Sequence, residues 1–330
     1  MTRLLRAPVV VSVLVVTCAL LAPRAIDAAP APAPSPARQP AAPVNDRWPR
    51  FSPDGSRIAF ASNRDGSPGL YVMASDGSDL HKVPVKASPG TNFFGPSWLS
   101  TTMLLFSGAR PTLASGADNG LEATEFVEAD TAGNGQRILQ QGINQEGPAG
   151  SPSGDKLVYA AEHGPYQSNP KIDLYEFDID TMDLHALTHE DGQYGQAAWS
   201  PDGSKIAYIC LKDGAPSIQI CVMDEDGTNV RQITSGDGSH QWPTWSPDAK
   251  RIAFFLESKL DGQTDSNIAI INTDGTGERL ITHHDRPQRD ETPSWSHDGK
   301  HIAFQTDRQG GRFRIAVMDA DGADVTMLTR

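Results

Sequence analysis

The chain of 330 residues carries 41 acidic and 28 basic side chains, which gives a formal net charge of −13, together with three cysteines. An excess of negative charge opposes polyanions, and no basic stripe is present that would release counterions from nucleic acid. Nucleic acid is therefore excluded as an expected partner.

The first 28 residues have the pattern of a secretory signal peptide. Arg3 and Arg6 precede an uncharged stretch over residues 7–22, and residues 26–28 precede a possible cleavage site. This stretch of 16 residues is shorter than the roughly 20 that a membrane-spanning helix needs. We expect a periplasmic or secreted protein without membrane insertion after cleavage, although an uncleaved anchor remains an alternative. Removal of residues 1–28 would leave 25 basic and 40 acidic residues, a net charge of −15.

Residues 29–44 are almost entirely alanine and proline. Such a composition forms a stiff, extended spacer with nothing to bury. We therefore expect the folded domain to occupy residues 45–330.

That domain consists of repeats, of which residues 199–234 are a complete copy. The copies can be aligned on a turn serine, at Ser52, Ser100, Ser151, Ser200, Ser246 and Ser296. Repeats of roughly 40 to 50 residues built from short strands are typical of propeller blades. We predict an all-β fold, a six-bladed β-propeller of four-stranded antiparallel blades. The blades are expected to start near residues 45, 93, 145, 193, 240 and 290.

Each repeat contains the same local signals. A first strand ending in tryptophan leads into a Ser-Pro-Asp-Gly turn, as at residues 200–203. The second strand, Ile-Ala-Phe at residues 58–60, is apolar on both faces. This pattern predicts burial on both sides, with the aromatic ring of one blade over the alanine of the next. An Asp-Gly pair such as residues 226–227 predicts a tight hairpin before a polar fourth strand.

The second and third repeats depart most from this pattern. They contain longer loops at residues 109–121 and 162–171. Such loops either carry a function of their own or are tolerated insertions, and the sequence leaves both interpretations open.

Two cysteines, Cys210 and Cys221, lie on the second and third strands of the fourth repeat. A hairpin that places them directly opposite each other would bring them within disulfide reach, and export would allow oxidation. The alternative is two small core residues.

The strings W-S-P-D-G, I-A-F, S-N-R-D-G, L-Y-V-M and D-G, at residues 48–77 (with Phe51 in the tryptophan position) and 199–227, resemble the repeats of the TolB-type β-propeller family, also described as PD40 or WD40-like repeats. The resemblance covers residues 45–330, and the Ala/Pro spacer stands where TolB has an N-terminal α/β domain. The family also includes the propellers of prolyl oligopeptidase-like enzymes and oligogalacturonate lyases. The resemblance implies an exported protein-binding propeller with a role in a Tol-Pal-like envelope or transport system. A Pal-like lipoprotein, or another envelope component, is the partner that it implies.

No nucleophile motif of the form Gly-x-Ser-x-Gly occurs, since residues 150–154 have proline at the centre. Peptidase chemistry would also need a second, catalytic domain. We therefore expect a monomeric, non-enzymatic protein with no catalytic residues and no cofactor.

The loops that lead into the first strands should ring one mouth of the central channel, here called the strand-start rim. Aromatic residues there would anchor a partner and acidic residues would steer a basic one, unless the rim is merely solvated. The candidate residues are Asp46, Arg47, Phe93, Phe94, Glu146, Gln193, Tyr194, His240, Gln241, Trp242, Asp290 and Glu291. Of these, Phe93, Phe94, Tyr194 and Trp242 are the expected anchors, and Asp46, Glu146, Asp290 and Glu291 are the expected steering charges.

The alternative function is a metal-dependent polysaccharide lyase of the oligogalacturonate-lyase-like propeller type. His240, His283 and His284 would then bind a divalent metal such as the manganese that this resemblance implies. Because adjacent residues point to opposite sides of an extended strand, His283 and His284 are poorly placed to be ligands together. A structural module carried on the Ala/Pro stalk is a third possibility.

Overall fold

The structure, a computed structural model, describes residues 44–86, 91–111, 122–143, 145–163, 171–189 and 192–330. The signal peptide, the spacer apart from Val44, and most of the two long loops fall outside these ranges. Residues Ala41–Arg330 form one compact unit. No helix in the described part of the chain is long and apolar enough to cross a membrane.

The described residues form 24 strands in six successive groups of four. Blade 1 contains β1 (Asp46–Phe51), β2 (Arg57–Ser62), β3 (Gly69–Ala74) and β4 (His81–Lys82), and blade 2 contains β5 (Asn92–Trp98), β6 (Met103–Pro111), β7 (Glu122–Asp130) and β8 (Arg137–Ile143). Blade 3 contains β9 (Gln145–Gly150), β10 (Lys156–His163), β11 (Lys171–Asp178) and β12 (Leu184–Ala186), and blade 4 contains β13 (Gly192–Trp199), β14 (Lys205–Lys212), β15 (Gln219–Asp224) and β16 (Arg231–Gln232). Blade 5 contains β17 (Ser239–Trp245), β18 (Arg251–Leu260), β19 (Gln263–Asn272) and β20 (Arg279–Leu280), and blade 6 contains β21 (Asp290–Trp295), β22 (His301–Thr306), β23 (Arg314–Asp319) and β24 (Thr326–Met327).

Within each blade the strands pair antiparallel in sequence order. Blades 3 and 4 are linked into one sheet by a single parallel pair, Ile172 with Gln193. The predicted all-β fold of antiparallel four-stranded sheets is confirmed, and the six groups of strands agree with the six repeats.

Six buried clusters lie between successive blades, and each contains the aromatic residue of one second strand with the small residue of the preceding one. Ala207 of blade 4 shares a cluster with Phe254 of blade 5, and Ala253 shares the next with Phe304. In blades 2 and 3 the small position is occupied by Leu105 and Val158 instead. The predicted packing of aromatic rings over alanine is therefore present, with two larger aliphatic replacements.

Blades 1 and 6 are joined in the same way, by a cluster that contains Phe60 and Ala303. Hydrogen bonds add to this contact, because Asp46 N donates to Phe313 O at 3.0 Å and Phe51 N donates to Ser294 Oγ at 3.0 Å. Each of the two blades consists of one continuous segment. Packing between faces, and not a strand shared between the two ends of the chain, closes the ring.

The Ser-Pro-Asp-Gly turn connects each inner strand to the second strand. Ser200 Oγ donates to Asp202 Oδ1 at 2.6 Å and accepts from Lys205 N at 2.9 Å, which fixes the turn. In blade 2 the turn is one residue shorter, and Leu99 N donates to Met103 O. Ser100 Oγ nevertheless accepts a hydrogen bond from Met103 N at 3.1 Å, as Ser200 Oγ does from Lys205 N, so the aligned serine supplies the hydroxyl of this shorter turn.

Cys210 and Cys221 form a disulfide with a Cα–Cα distance of 5.9 Å. The expected register is wrong, however, because Cys210 lies opposite Gln219 and Cys221 lies opposite Tyr208. The two cysteines are diagonal neighbours on one face of the hairpin. Their sulfurs can meet because positions two residues apart on a strand point to the same side.

Candidate functional site

The innermost strand of every blade contains a residue with left-handed backbone dihedrals. These residues are Trp48, Gly95, Gly147, Gln196, Trp242 and Thr292, with φ values between 44° and 62°. In each blade the pairing of the first and second strands shifts register close to this residue. Such bulges bend a strand and change the direction of its side chains, and they recur near functional sites.

Beyond the bulges, the inner strands surround a cavity of about 450 Å³. Every blade contributes to its wall, through residues 50–53, 95–99, 147–152, 196–201, 242–247 (except 246) and 294–297. These are the second halves of the inner strands and the turns that follow them, so we call this space the turn-side cavity. Its volume lies within the range of ligand pockets, about 300 to 1,000 Å³.

The wall of the turn-side cavity differs in charge from the rest of the protein. Among the described residues that line it, none is Asp or Glu, and the ionisable side chains are Arg50 and the exposed His297. This is unusual in a chain with a net charge of −13. The cavity wall thus contains a cation and no carboxylate, while the aspartates of the turns lie just behind it, where they accept hydrogen bonds from the lining serines.

Arg50 projects from β1 into this space. Its Nη1 donates to Pro49 O at 3.0 Å, and its guanidinium carbon lies 5.4 Å from the centroid of the Trp242 ring. It forms no ion pair with any carboxylate in the part of the chain that the structure describes. Burial lowers the pKa of the guanidinium to about 10, so it keeps its charge at neutral pH.

Four tryptophans form much of the wall, and three of them are hydrogen-bonded to the neighbouring blade. The indole nitrogens of Trp98, Trp199 and Trp245 donate to a backbone carbonyl of the preceding blade at 3.0 to 3.2 Å. The buried indole nitrogen of Trp295 has no hydrogen-bond partner. These rings are at most 9% exposed and act as rigid walls. Trp242 is only partly buried and crosses the channel between Arg50 and Gly95.

Five residues of the predicted strand-start rim are buried between sheets. Their side chains are at most 8% exposed, and they are Asp46, Phe93, Tyr194, His240 and Asp290. Each precedes a left-handed residue by two positions, and the strand directs that position into the interface between blades. Phe93 and Tyr194, expected as anchors, and Asp46 and Asp290, expected as steering charges, are therefore not exposed to a partner in this structure.

The two buried aspartates among them are neutralised within the fold. Asp46 pairs with Arg64 at 2.8 Å and accepts a hydrogen bond from Ser62. Asp290 pairs with Arg308 and with His284.

The other predicted rim residues, among them Gln193 and Gln241, are partly buried along the channel. Arg47 lies over the Phe313 ring at 4.8 Å, and Phe94 contacts Trp48 edge to face at 5.5 Å. Glu291 accepts from Gln305 Nε2 at 2.8 Å, and burial raises the pKa of its carboxyl group. Glu146 belongs to β9, but its side chain lies outside the described part of the structure. Of the whole predicted set, Trp242 alone lines the turn-side cavity.

The three histidines of the metal alternative have different surroundings. His284 Nδ1 lies 2.8 Å from Asp265 Oδ1 and its Nε2 lies 3.0 Å from Asp290 Oδ2, so both nitrogens are occupied. Burial alone would lower the pKa of His284, but the hydrogen bonds and charges of Asp290 and Asp265 raise it overall. His240 Nε2 lies 3.2 Å from Glu278, and His283 is exposed. Among the described residues, no three His, Cys, Asp or Glu side chains are arranged to hold a metal ion.

A signal for Arg50 is present in the sequence, although reasoning from the strand-start residues missed it. The residue two positions after the left-handed residue lines the cavity in every blade. In chain order these residues are Arg50, Ser97, Ala149, Ala198, Thr244 and Ser294. A single large cation in a column of small residues marks the one blade that projects a charge into the channel.

Solved structures with this architecture include TolB, a lyase and the propeller domain of a protease. TolB from Acinetobacter baumannii has a TM-score of 0.62 at 20% identity, over 87% of this chain and 63% of that one. An oligogalacturonate lyase in complex with manganese has a TM-score of 0.58 at 17% identity, over 87% of this chain and 78% of that one. The propeller domain of the Trilobed protease from Pyrococcus furiosus has a TM-score of 0.57 at 15% identity, over 87% and 84%. At these identities the similarity shows the fold alone.

Similarity in sequence identifies a narrower group of proteins than similarity in fold does. The Tol-Pal system protein TolB of Syntrophus aciditrophicus (strain SB) is 51% identical over 35 residues, which are 11% of this chain and 8% of that protein. The chain therefore spans less than two thirds of this relative and of the Acinetobacter TolB. The family described as the TolB beta propeller domain matches residues 36–201 and 165–330. With both halves of the ring matched and the repeated blades in place, the chain belongs to the TolB beta propeller domain family.

Proposed function

We propose that this protein is an exported, non-enzymatic propeller that binds another protein or an envelope component at the turn-side mouth of its channel. The observation that carries the proposal is the turn-side cavity, a space of about 450 Å³ to which all six blades contribute. Fixed tryptophans and prolines form its wall, and rigid aromatic pockets are what binding anchors of a partner occupy. The proposed binding surface thus lies at the end of the inner strands opposite to the predicted strand-start rim.

The wall chemistry favours binding over catalysis. The cavity offers one arginine, one exposed histidine and several serine hydroxyls, and the buried turn serines are occupied in fixing their turns. No carboxylate is available among its described residues to act as a general base or to hold a metal there. Two of the three histidines of the lyase alternative are engaged by carboxylates of the chain itself, His240 by Glu278 and His284 by Asp265 and Asp290, which favours the binding role.

Membership of the TolB beta propeller domain family supports a Tol-Pal-like envelope role with a Pal-like lipoprotein as partner. Export through the signal pattern of residues 1–28 is part of this proposal. The disulfide supports it, since such bonds persist mainly in oxidising compartments.

Site-specific photo-crosslinking in the envelope of the producing cell tests the proposal. A photoreactive amino acid at His297, which is exposed at the turn-side mouth, should form an adduct with one defined envelope protein. The matched control carries the same probe at Val230, which is 55% exposed at the outer edge of blade 4. Absence of an adduct from position 297, or the same adducts from both positions, would contradict a binding role for the mouth.

A further inference from the structure

We infer that the turn-side cavity receives a carboxylate group of the partner polypeptide, and that Arg50 is the cation that binds it. This inference rests on the proposed function and deepens it, because it names the chemical group that the mouth recognises. The carboxylate can come from a C-terminus or from an Asp or Glu side chain, since both present the same two oxygens.

Among the described residues that line the turn-side cavity, Arg50 is the only arginine or lysine. Arg50 is partly buried and has no carboxylate partner among the described residues, although the chain contains 41 acidic side chains. Three arginines near the inner strands have carboxylate partners, Arg64 with Asp46, Arg308 with Asp290 and Arg289 with Asp307. Arg47 and Arg251, which do not line the cavity, instead stack on aromatic rings. The N–H donors of Arg50 that have no partner within the chain need water or a ligand to satisfy them. The missing partner of Arg50 is the group that the cavity binds.

The guanidinium of Arg50 is also placed so that it can bind a carboxylate. Guanidinium has five N–H donors in a planar fork, and one contact, from Nη1 to Pro49 O, is made within the chain. The Trp242 ring 5.4 Å away limits the orientation of the plane. The remaining donors are free to bind both oxygens of a carboxylate at once, the arrangement in which arginine binds most strongly.

The backbone of Arg50 is held in place by both neighbouring blades. Arg50 O accepts a hydrogen bond from Trp98 Nε1 of blade 2 at 3.0 Å, and the following residue, Phe51, donates to Ser294 Oγ of blade 6 at 3.0 Å. A binding group on such rigid support loses little entropy when the ligand arrives. The site is therefore organised before binding.

The overall charge selects a polypeptide carboxylate over a polyanion. One arginine can neutralise one carboxylate, but a polymer with many negative charges would be repelled by a protein of net charge −13. The tryptophan and proline wall offers apolar contacts to the residues that flank the carboxylate. A segment with a single acidic group and apolar neighbours fits both features.

Isothermal titration of the purified protein with three short peptides and inorganic phosphate tests the inference. The first peptide, acetyl-Ala-Pro-Leu, has a free C-terminus, the second is its C-terminal amide, and the third, acetyl-Ala-Glu-Leu-amide, has only a side-chain carboxylate. We expect saturable binding of the first or the third peptide, and the one that binds identifies the source of the carboxylate. The neutral amide should bind at least about tenfold more weakly, because it lacks the carboxylate. Phosphate, which a guanidinium also binds bidentately, should bind more weakly than the peptide because it makes no contact with the apolar wall.

The variant Arg50→Gln should weaken carboxylate binding by about tenfold or more, and Arg50→Lys should weaken it less, since lysine keeps the charge and loses the fork. Arg251→Gln is the matched control, because Arg251 also stacks on a cavity tryptophan, Trp295 at 4.9 Å, without lining the cavity. This control should bind like the wild type. If Arg50→Gln does not fold, Arg50→Lys carries the test alone.

No saturable binding of either carboxylate peptide, equal binding by the Arg50 variants and the wild type, or tighter binding of phosphate would each overturn the inference. These titrations use peptides and purified protein only, so their failure is distinct from failure of the crosslinking experiment. Partner binding at the mouth could survive without a carboxylate, and carboxylate binding could be present without an envelope adduct.

Discussion

Glycine at the hairpin between the third and fourth strands is required for two separate reasons. Gly77, Gly227, Gly275 and Gly322 have φ values between 83° and 99°, a region that other residues rarely adopt. The hairpin also lies against the preceding blade, and a Cβ atom on Gly227 would be 2.8 Å from Leu187 O. Backbone conformation and contact between blades thus restrict the same position.

Comparison of two alanine variants separates these effects. Gly66 has the same φ of 83° as Gly227, but a Cβ atom there would meet nothing within 4 Å. Gly66→Ala should lower the free energy of unfolding by about 1 kcal/mol through backbone strain alone. Gly227→Ala should lower it by about 3 kcal/mol, since it adds a steric conflict with the preceding blade. Equilibrium unfolding in urea measures the difference, and equal losses would show that the inter-blade contact carries no energy.

Of the two requirements for glycine at the hairpin, the sequence predicts the backbone conformation and not the contact with the preceding blade. The Asp-Gly pair predicts the hairpin because its dihedrals are local, but the approach of Leu187 depends on the distance between blades. Arg50 was missed for a related reason. Its significance arises from the six inner strands taken together and not from its own neighbours in the chain.

At the level of the single element, the inner strand explains why the predicted rim was partly wrong. Regular alternation would place Phe93 and Tyr194 at the mouth, but the strand directs the position two residues before the left-handed residue between the blades. Left-handed dihedrals at tryptophan, glutamine or threonine leave little local signal, because these residues seldom adopt them. The burial of the second strands was predicted correctly, because Ile-Ala-Phe is apolar on both faces of the strand.

The hairpin of β14 and β15 permits a test of the disulfide. The bond between Cys210 and Cys221 spans 11 residues, and the chain-entropy relation for a loop of this size gives about 3 kcal/mol of stabilisation. Reduction of the purified protein should therefore lower its free energy of unfolding by about that amount. The double variant Cys210→Ala, Cys221→Ala is the control, and its urea midpoint should not respond to reductant. A reductant-insensitive wild type, with two thiols titratable under denaturing conditions before reduction, would show that the bond does not form in the protein.

For the molecule as a whole, stability depends on six equivalent interfaces arranged in a closed ring. Each buried cluster draws residues from two neighbouring blades, including the cluster between blades 6 and 1. The sequence predicts this equivalence because four of the six second strands alternate alanine with an aromatic residue, and the other two have Leu105 or Val158 at the alanine position. It contains no local signal for the hydrogen bonds from β1 to blade 6, which depend on the geometry of closure.

The closing interface should therefore respond to overpacking like an internal one. Ala303 faces blade 1 and Ala207 faces blade 5, and both are fully buried beside an aromatic ring of the next blade. Ala303→Leu and Ala207→Leu should each lower the free energy of unfolding by about 1 to 3 kcal/mol, the usual effect of inserting methylenes into a packed core. Ala132→Leu, at an exposed turn of blade 2, is the control and should change stability by less than about 0.5 kcal/mol. Urea unfolding of the three variants measures these values. A cost for Ala303→Leu close to that of the exposed control would show that the ring is already open between blades 6 and 1, because an interface that is not packed cannot be overpacked.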